Sequence, residues 1–121
     1  MRILAFVLTV LVIVLHLAFG AAEMFYWQHP EVMARFGSTP DFAKASAVLA
    51  ANQGLYNGLF AVALLWSLVT GNRSMSLVLL ACLIAAGIYG GLTAKPTIIL
   101  VQAVPAALAF AAMWAAGRRL Q

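Results

Sequence analysis

The sequence predicts an all-α membrane protein: a four-helix antiparallel transmembrane bundle with a short interfacial helix between spans 1 and 2. Three observations lead there. Of 121 residues, 65% are hydrophobic and 8% charged, against about 25% charged in soluble domains. Mean hydropathy is +1.03, and a water-soluble chain this short has too much surface for its volume to hide that apolar area. The apolar residues also fall into four stretches, 3–27, 45–70, 75–92 and 97–117, each close to the roughly 20 residues that cross a bilayer core. Little is left over, so residues 1–121 read as a single transmembrane domain.

The first stretch begins with Arg2 and has small residues around Gly20, like a cleavable leader. Its apolar run is longer than a leader core, and it is read as the first span. Of the connections, only residues 28–42 are long enough for structure of their own. There His29-Pro30-Glu31 reads as a helix start, with Pro in the first turn and an acid behind it. Gly37 reads as the stop, and Thr39 as the N-cap of the helix that Pro40-Asp41 opens. The short helix carries Val32, Met33 and Phe36 on one side and Glu31 and Arg35 on another. Two roles are open for it, a lid over the outer mouth of the bundle and a plain connector at headgroup level. The other connections, Gly71 to Ser74 and Ala94 to Pro96, are tight turns. Phe25, Tyr26 and Trp27 fit an aromatic belt at one membrane face, and Trp66 and Trp114 the belt at the other.

The net charge of +4 comes from basic residues scattered at span ends. With no basic cluster, nucleic acid is excluded as a partner, and the bilayer is the expected one. Arg2, Arg73, Arg118 and Arg119 lie on the side of the termini, and Arg35, Lys44 and Lys95 on the other. All three acids, Glu23, Glu31 and Asp41, accompany that second side. The purely basic flanks place both termini in the cytoplasm and the chain in the cell (inner) membrane, as a multi-pass protein. Cys82 is the single cysteine, so intrachain disulfide and CxxC chemistry are ruled out.

The polar side chains inside the spans are uneven in depth. His16, Glu23, Asn52, Gln53, Asn57, Tyr89 and Gln102 lie in the half away from the termini or near the midplane. Polar groups at membrane depth are costly and mark candidate sites. In span 1, His16, Gly20, Glu23 and Trp27 share one helical stripe. In span 2, Asn52 shares a face with Tyr56, and Gln53 with Asn57. Gly54 and Gly58 are spaced for close helix approach. In span 3, Gly87 and Gly91 repeat that spacing beside Tyr89. In span 4, Pro105 cannot bond the Val101 carbonyl, which predicts a kink beside Gln102. The candidate ligand-binding set is His16, Glu23, Trp27, Asn52, Gln53, Tyr56, Asn57, Tyr89 and Gln102. Glu23, Asn52, Tyr56, Tyr89 and Gln102 are expected to converge on one cavity in the outer half. Lys95, Lys44, His16 and Asn52 are the expected neighbours of Glu23. For each residue a packing role stands beside the functional one: interhelical glue for the amides, an interface anchor for Tyr89, a core imidazole for His16.

Catalytic patterns are missing: no Ser-His-Asp set, no paired membrane acids, no HExxH, no phosphate loop. No metal site and no cofactor are expected.

The chain resembles domain-of-unknown-function family 1304, small integral membrane proteins. The matching stretches are His16 through Glu23-Met24-Phe25 and Trp27, then Phe36-Gly37 and Thr39-Pro40. They continue with Leu49-Ala50-Ala51-Asn52-Gln53-Gly54-Leu55-Tyr56-Asn57-Gly58, Ala86-Gly87-Ile88-Tyr89-Gly90, and Val101-Gln102 with Pro105. The resemblance implies a four-span membrane protein and carries no activity. Three function classes follow from the residues. The first is binding, with or without movement, of a small polar or amphipathic molecule in an outward-facing pocket. The second is a membrane enzyme acting on a lipid-like substrate, with Glu23 or His16 as acid-base. The third is a structural or accessory subunit whose polar residues lock the bundle. The polar groups do not continue to the terminal side, which favours binding over movement. The glycine faces also invite a homo-oligomer.

Overall fold

The computed structural model describes residues 2–118; Arg119, counted in the basic flank, lies outside them, as does the side chain of Arg118. The chain is all-α: α1 (Arg2–Phe25), α2 (Pro30–Phe36), α3 (Pro40–Val69), α4 (Arg73–Thr93), a π-helical segment (Ile99–Ala103) and α5 (Val104–Arg118). Four helices, Arg2–Phe25, Pro40–Val69, Arg73–Thr93 and Ile99–Gly117, are long and apolar enough to cross a membrane. The chain is a multi-pass membrane protein. α3 starts five residues before the expected span, because Thr39 Oγ1 accepts the Phe42 N–H at 3.3 Å and caps a helix that Pro40 opens.

Two compact units make up the chain: His16–Phe60, and Met1–Leu15 with Ala61–Gln121. In the first unit, the end of α1 runs antiparallel to the first half of α3. Their contact is a crossing of glycines. A Cβ at Gly20 would stand 2.9 Å from the Gly54 carbonyl oxygen, and one at Gly54 would stand 2.8 Å from that of Gly20. The backbones therefore touch where only hydrogen side chains fit. At Gly58 an added Cβ meets nothing within 4 Å, so the close approach falls on one glycine of the spaced pair. Because Gly54 lies level with Glu23 and Met24, the first turns of α3 run on past the end of α1.

α2 and its flanks occupy that end. Its stop is the expected one: Gly37 adopts φ 68°, a left-handed conformation that costs glycine little. Ser38 N–H bonds the Met33 carbonyl at 2.9 Å and Gly37 N–H that of Ala34 at 3.3 Å, the paired bonds of a Schellman ending. Trp27 ties this region down. Its Nε1–H donates to Ser46 Oγ at 3.0 Å, and its ring meets Phe36 edge-on at 5.0 Å.

In the second unit α3 turns into α4, and α4 packs on the π-helical segment and α5. Ser67 and Ser76, both fully buried, share a hydroxyl hydrogen bond of 2.7 Å across the α3–α4 turn. A Cβ at Gly87 would stand 2.7 Å from the Ala103 backbone nitrogen, so glycine lets α4 meet the start of span 4. Ala103, Ala106 and Ala109 line the buried face that follows. The kink expected at Pro105 takes the form of a π turn just before it: Val104 N–H bonds the Ile99 carbonyl. Widening the turn ahead of the proline accommodates the residue that cannot donate.

Candidate functional site

Glu23 is the only acid of α1, two residues from the helix end, and its side chain is half-buried. Asn57 Nδ2 donates to Glu23 Oε2 at 2.7 Å, a short charge-assisted bond across the α1–α3 crossing. The glycine contact sets that geometry. With Gly20 against Gly54, Glu23 Cβ stands 3.0 Å from where a Cβ at Gly54 would be and Asn57 Cβ 3.8 Å from where one at Gly20 would be, so the two polar side chains flank the contact and meet across it. Beside the carboxylate lies a cleft of about 360 Å³, lined by Glu23, Met24, Tyr26, Trp27, His29 and Ala47 among others. Tyr26 and His29 meet edge-on at 6.5 Å, and a Tyr26 carbonyl to His29 N–H bond of 2.9 Å closes the turn that carries them.

Of the nine candidates, the first unit brings together Glu23, Trp27 and Asn57. Glu23 and Trp27 line the cleft, and Asn57 holds the carboxylate from behind. The partner of Glu23 is thus Asn57, one of the candidates but not among the four expected neighbours. Asn52 and Gln53 are exposed on α3, and Tyr56 is 55% exposed. His16 is fully buried, with its ring edge-on to Phe19 at 5.7 Å, which suits a core imidazole.

In the second unit Tyr89 is 72% exposed. Gln102 Nε2 donates to the Leu83 carbonyl at 3.3 Å and so links span 4 to α4. Arg73 is more than a basic flank there. Its Nε and Nη2 donate to the carbonyls of Met113 (3.2 Å) and Trp114 (3.0 Å), and its guanidinium sits 5.7 Å over the Trp114 ring. A cation near the C-terminal turns of α5 complements the negative end of the helix dipole. A Cβ at Gly117 would collide with that guanidinium, so glycine gives it room.

The residues that sequence reasoning passed over are Met24, Tyr26, His29 and Ala47 around the cleft, and Ser46 behind Trp27. Their signal was the run Tyr26-Trp27-Gln28-His29-Pro30, in which aromatic and polar rings precede a helix-opening proline. An aromatic belt accounts for Tyr26 equally well, so the run alone does not single out a cleft.

The arrangement offers one fixed carboxylate, three aromatic residues (Phe25, Tyr26 and Trp27) and an imidazole around a small volume. Among the described residues no three His, Cys, Asp or Glu side chains gather in a metal-holding group.

A family described as "Protein of unknown function (DUF1304)" matches residues 10–114. Uncharacterized protein YpaA of Lactococcus lactis subsp. lactis (strain IL1403) is 32% identical over 114 residues, spanning 84% of this chain and 95% of that protein. No solved structure matches. Residues 10–114 take in the α1–α3 crossing, the cleft and the π turn before Pro105, and on that match the chain belongs to the DUF1304 family.

Proposed function

We propose that the protein binds a small amphipathic cation in the cleft beside Glu23. The observation that carries this is the Glu23–Asn57 bond of 2.7 Å at the edge of the aromatic-lined cleft. Asn57 fixes the carboxylate through one oxygen, which leaves Oε1 to face a ligand. Tyr26 and Trp27 supply ring faces that attract a cation electrostatically, most strongly where water is excluded. A volume of about 360 Å³ is at the small end of ligand pockets. This suits a head group with a short apolar body. α2, held through Trp27, then acts as the lid over this mouth. The basic flanks, Arg2 and Arg73 among them, support a topology in the cell (inner) membrane with cytoplasmic termini, in which the cleft opens on the outer side.

The test is equilibrium binding to purified protein in nanodiscs, with benzyltrimethylammonium against benzylsulfonate, an anion of similar size. The cation binds and the anion does not. Glu23→Gln keeps the shape, removes the charge and weakens the cation about tenfold, which corresponds to about 1.4 kcal/mol. Equal binding of the two probes, or an unchanged cation affinity in Glu23→Gln, would sink the proposal.

A further inference from the structure

A second cleft, of about 180 Å³, lies within the second unit, between the start of α1, the α3–α4 turn and the last turns of α5. Arg2 and Arg73 line it together, with Leu68, Met113 and Ala116 as apolar walls. The charge around it is one-sided. Residues 1–15 and 61–121, which make up this unit, contain no Asp or Glu. Arg35 and Lys44 belong to the other unit and share it with Glu23, Glu31 and Asp41. The two arginines of the cleft have no side-chain carboxylate in their unit to pair with. α1 and α4 also begin here, at Arg2 and Arg73, with no acid in either first turn. Their positive dipole ends add to the charge of the cleft.

Arg73 is held in place for a ligand. Its Nε and Nη2 bond the Met113 and Trp114 carbonyls, and Nη1 has no partner among the described residues. Arg2 is exposed and makes no hydrogen bond among them either. The cleft sits at headgroup depth. Both arginines open helices long and apolar enough to cross a membrane. Arg73 also stands over the half-exposed ring of Trp114, and tryptophan at a span end marks the interface.

We propose that this cleft binds the phosphate of an anionic lipid headgroup. A planar guanidinium presents parallel donors that match phosphate oxygens, and basic pockets between transmembrane helices suit anionic headgroups. Depth and apolar walls select a lipid over a soluble anion. The volume is below the roughly 300 Å³ of pockets that enclose a whole small molecule. It takes the phosphate and leaves the acyl chains in the bilayer. A phosphate held by both arginines ties the start of α1 to α4 and α5. None of the residues of the Glu23 cleft takes part, so the two readings fail separately. In nanodiscs made with anionic lipid this site is filled, and the benzylsulfonate control at the Glu23 cleft is read without interference.

The experiment is native mass spectrometry of the full chain released from an uncharged detergent. The probes are phosphatidylglycerol, diacylglycerol as a lipid without phosphate, and inorganic phosphate. One phosphatidylglycerol binds per chain, and diacylglycerol binds about tenfold more weakly or less. Arg2→Gln weakens phosphatidylglycerol about fivefold, the contribution of one basic side chain beside an anionic lipid, and Arg2→Lys keeps most of the affinity. Lys95→Gln, which removes the same charge beyond the other end of α4, leaves binding unchanged. Arg2→Gln breaks no hydrogen bond among the described residues, and an unchanged unfolding temperature without lipid checks that it folds. Equal binding of diacylglycerol, native affinity in Arg2→Gln, or an equal loss in Lys95→Gln overturns the proposal. Displacement of the lipid by millimolar inorganic phosphate assigns the site to a soluble anion and overturns it as well.

Discussion

Replacing Gly54 with alanine tests whether the α1–α3 crossing builds the site. An ideal Cβ there stands 2.6 Å from Met24 Cγ, 2.8 Å from the Gly20 carbonyl oxygen and 3.0 Å from Glu23 Cβ. Carbon contacts are comfortable at about 3.5–4.0 Å. Met24 can swing aside, but the Gly20 backbone cannot, so the helices must part by about half an ångström or more. Overpacking of this kind costs about 1–3 kcal/mol, and the better helix propensity of alanine returns about 1 kcal/mol. Gly58→Ala is the internal control. Its Cβ meets nothing within 4 Å, so it gains the propensity and incurs no clash. The two alanine variants should differ by about 2 kcal/mol, with Gly54→Ala the less stable. Reversible unfolding in mixed micelles measures the difference directly. Parting the helices also draws Glu23 away from Asn57, so Gly54→Ala loses cation binding while Gly58→Ala keeps it. Equal stabilities, or a more stable Gly54→Ala protein, would refute the crossing as the element that sets the site.

The Glu23–Asn57 bond can be isolated by a double-mutant cycle. Asn57→Leu leaves a half-buried carboxylate without its donor and costs about 1–3 kcal/mol, while adding Glu23→Leu recovers part of that loss; strictly additive costs would show that the pair does not interact. Topology is read by placing a cysteine at the exposed Ser74 in a Cys82→Ser background. An impermeant maleimide should label Ser74→Cys only after the cells are opened, and labelling of intact cells would reverse the orientation.

The fold was largely legible because the physics that sets it is local. Hydropathy fixes spans, and Thr39, Pro40 and Gly37 act on backbone groups a few residues away, so α2 ends where Gly37 says it should. Gln102 shows where local signals run out. A carboxamide beside a proline suits a cavity wall and an interhelical link equally well. Only the register of span 4 against α4, set by Gly87 meeting Ala103, gives it the Leu83 carbonyl. Arg73 was hidden in the same way. As a flanking charge it speaks only for orientation, and its bonds to the Met113 and Trp114 carbonyls of α5 reach 40 and 41 residues away in sequence.

The amides of α3 illustrate the limit most clearly. Asn52 and Asn57 are separated by five residues, about 140° around a helix, so they cannot serve the same neighbour. The sequence places both at membrane depth and leaves open which one faces α1. Backbone contact decides it. Gly20 is the one glycine of α1 and lies three residues before its one acid; Gly54 lies three before Asn57 in α3. Because the helices run antiparallel, Glu23 lies against Gly54 and Asn57 against Gly20, so crossing at those glycines brings the acid to the amide and leaves Asn52 turned outward. Small residues fix where helices touch, and the polar residues within a turn of them inherit their partners from that contact. A polar residue far around the wheel from the crossing, as Asn52 is, gains no partner from it.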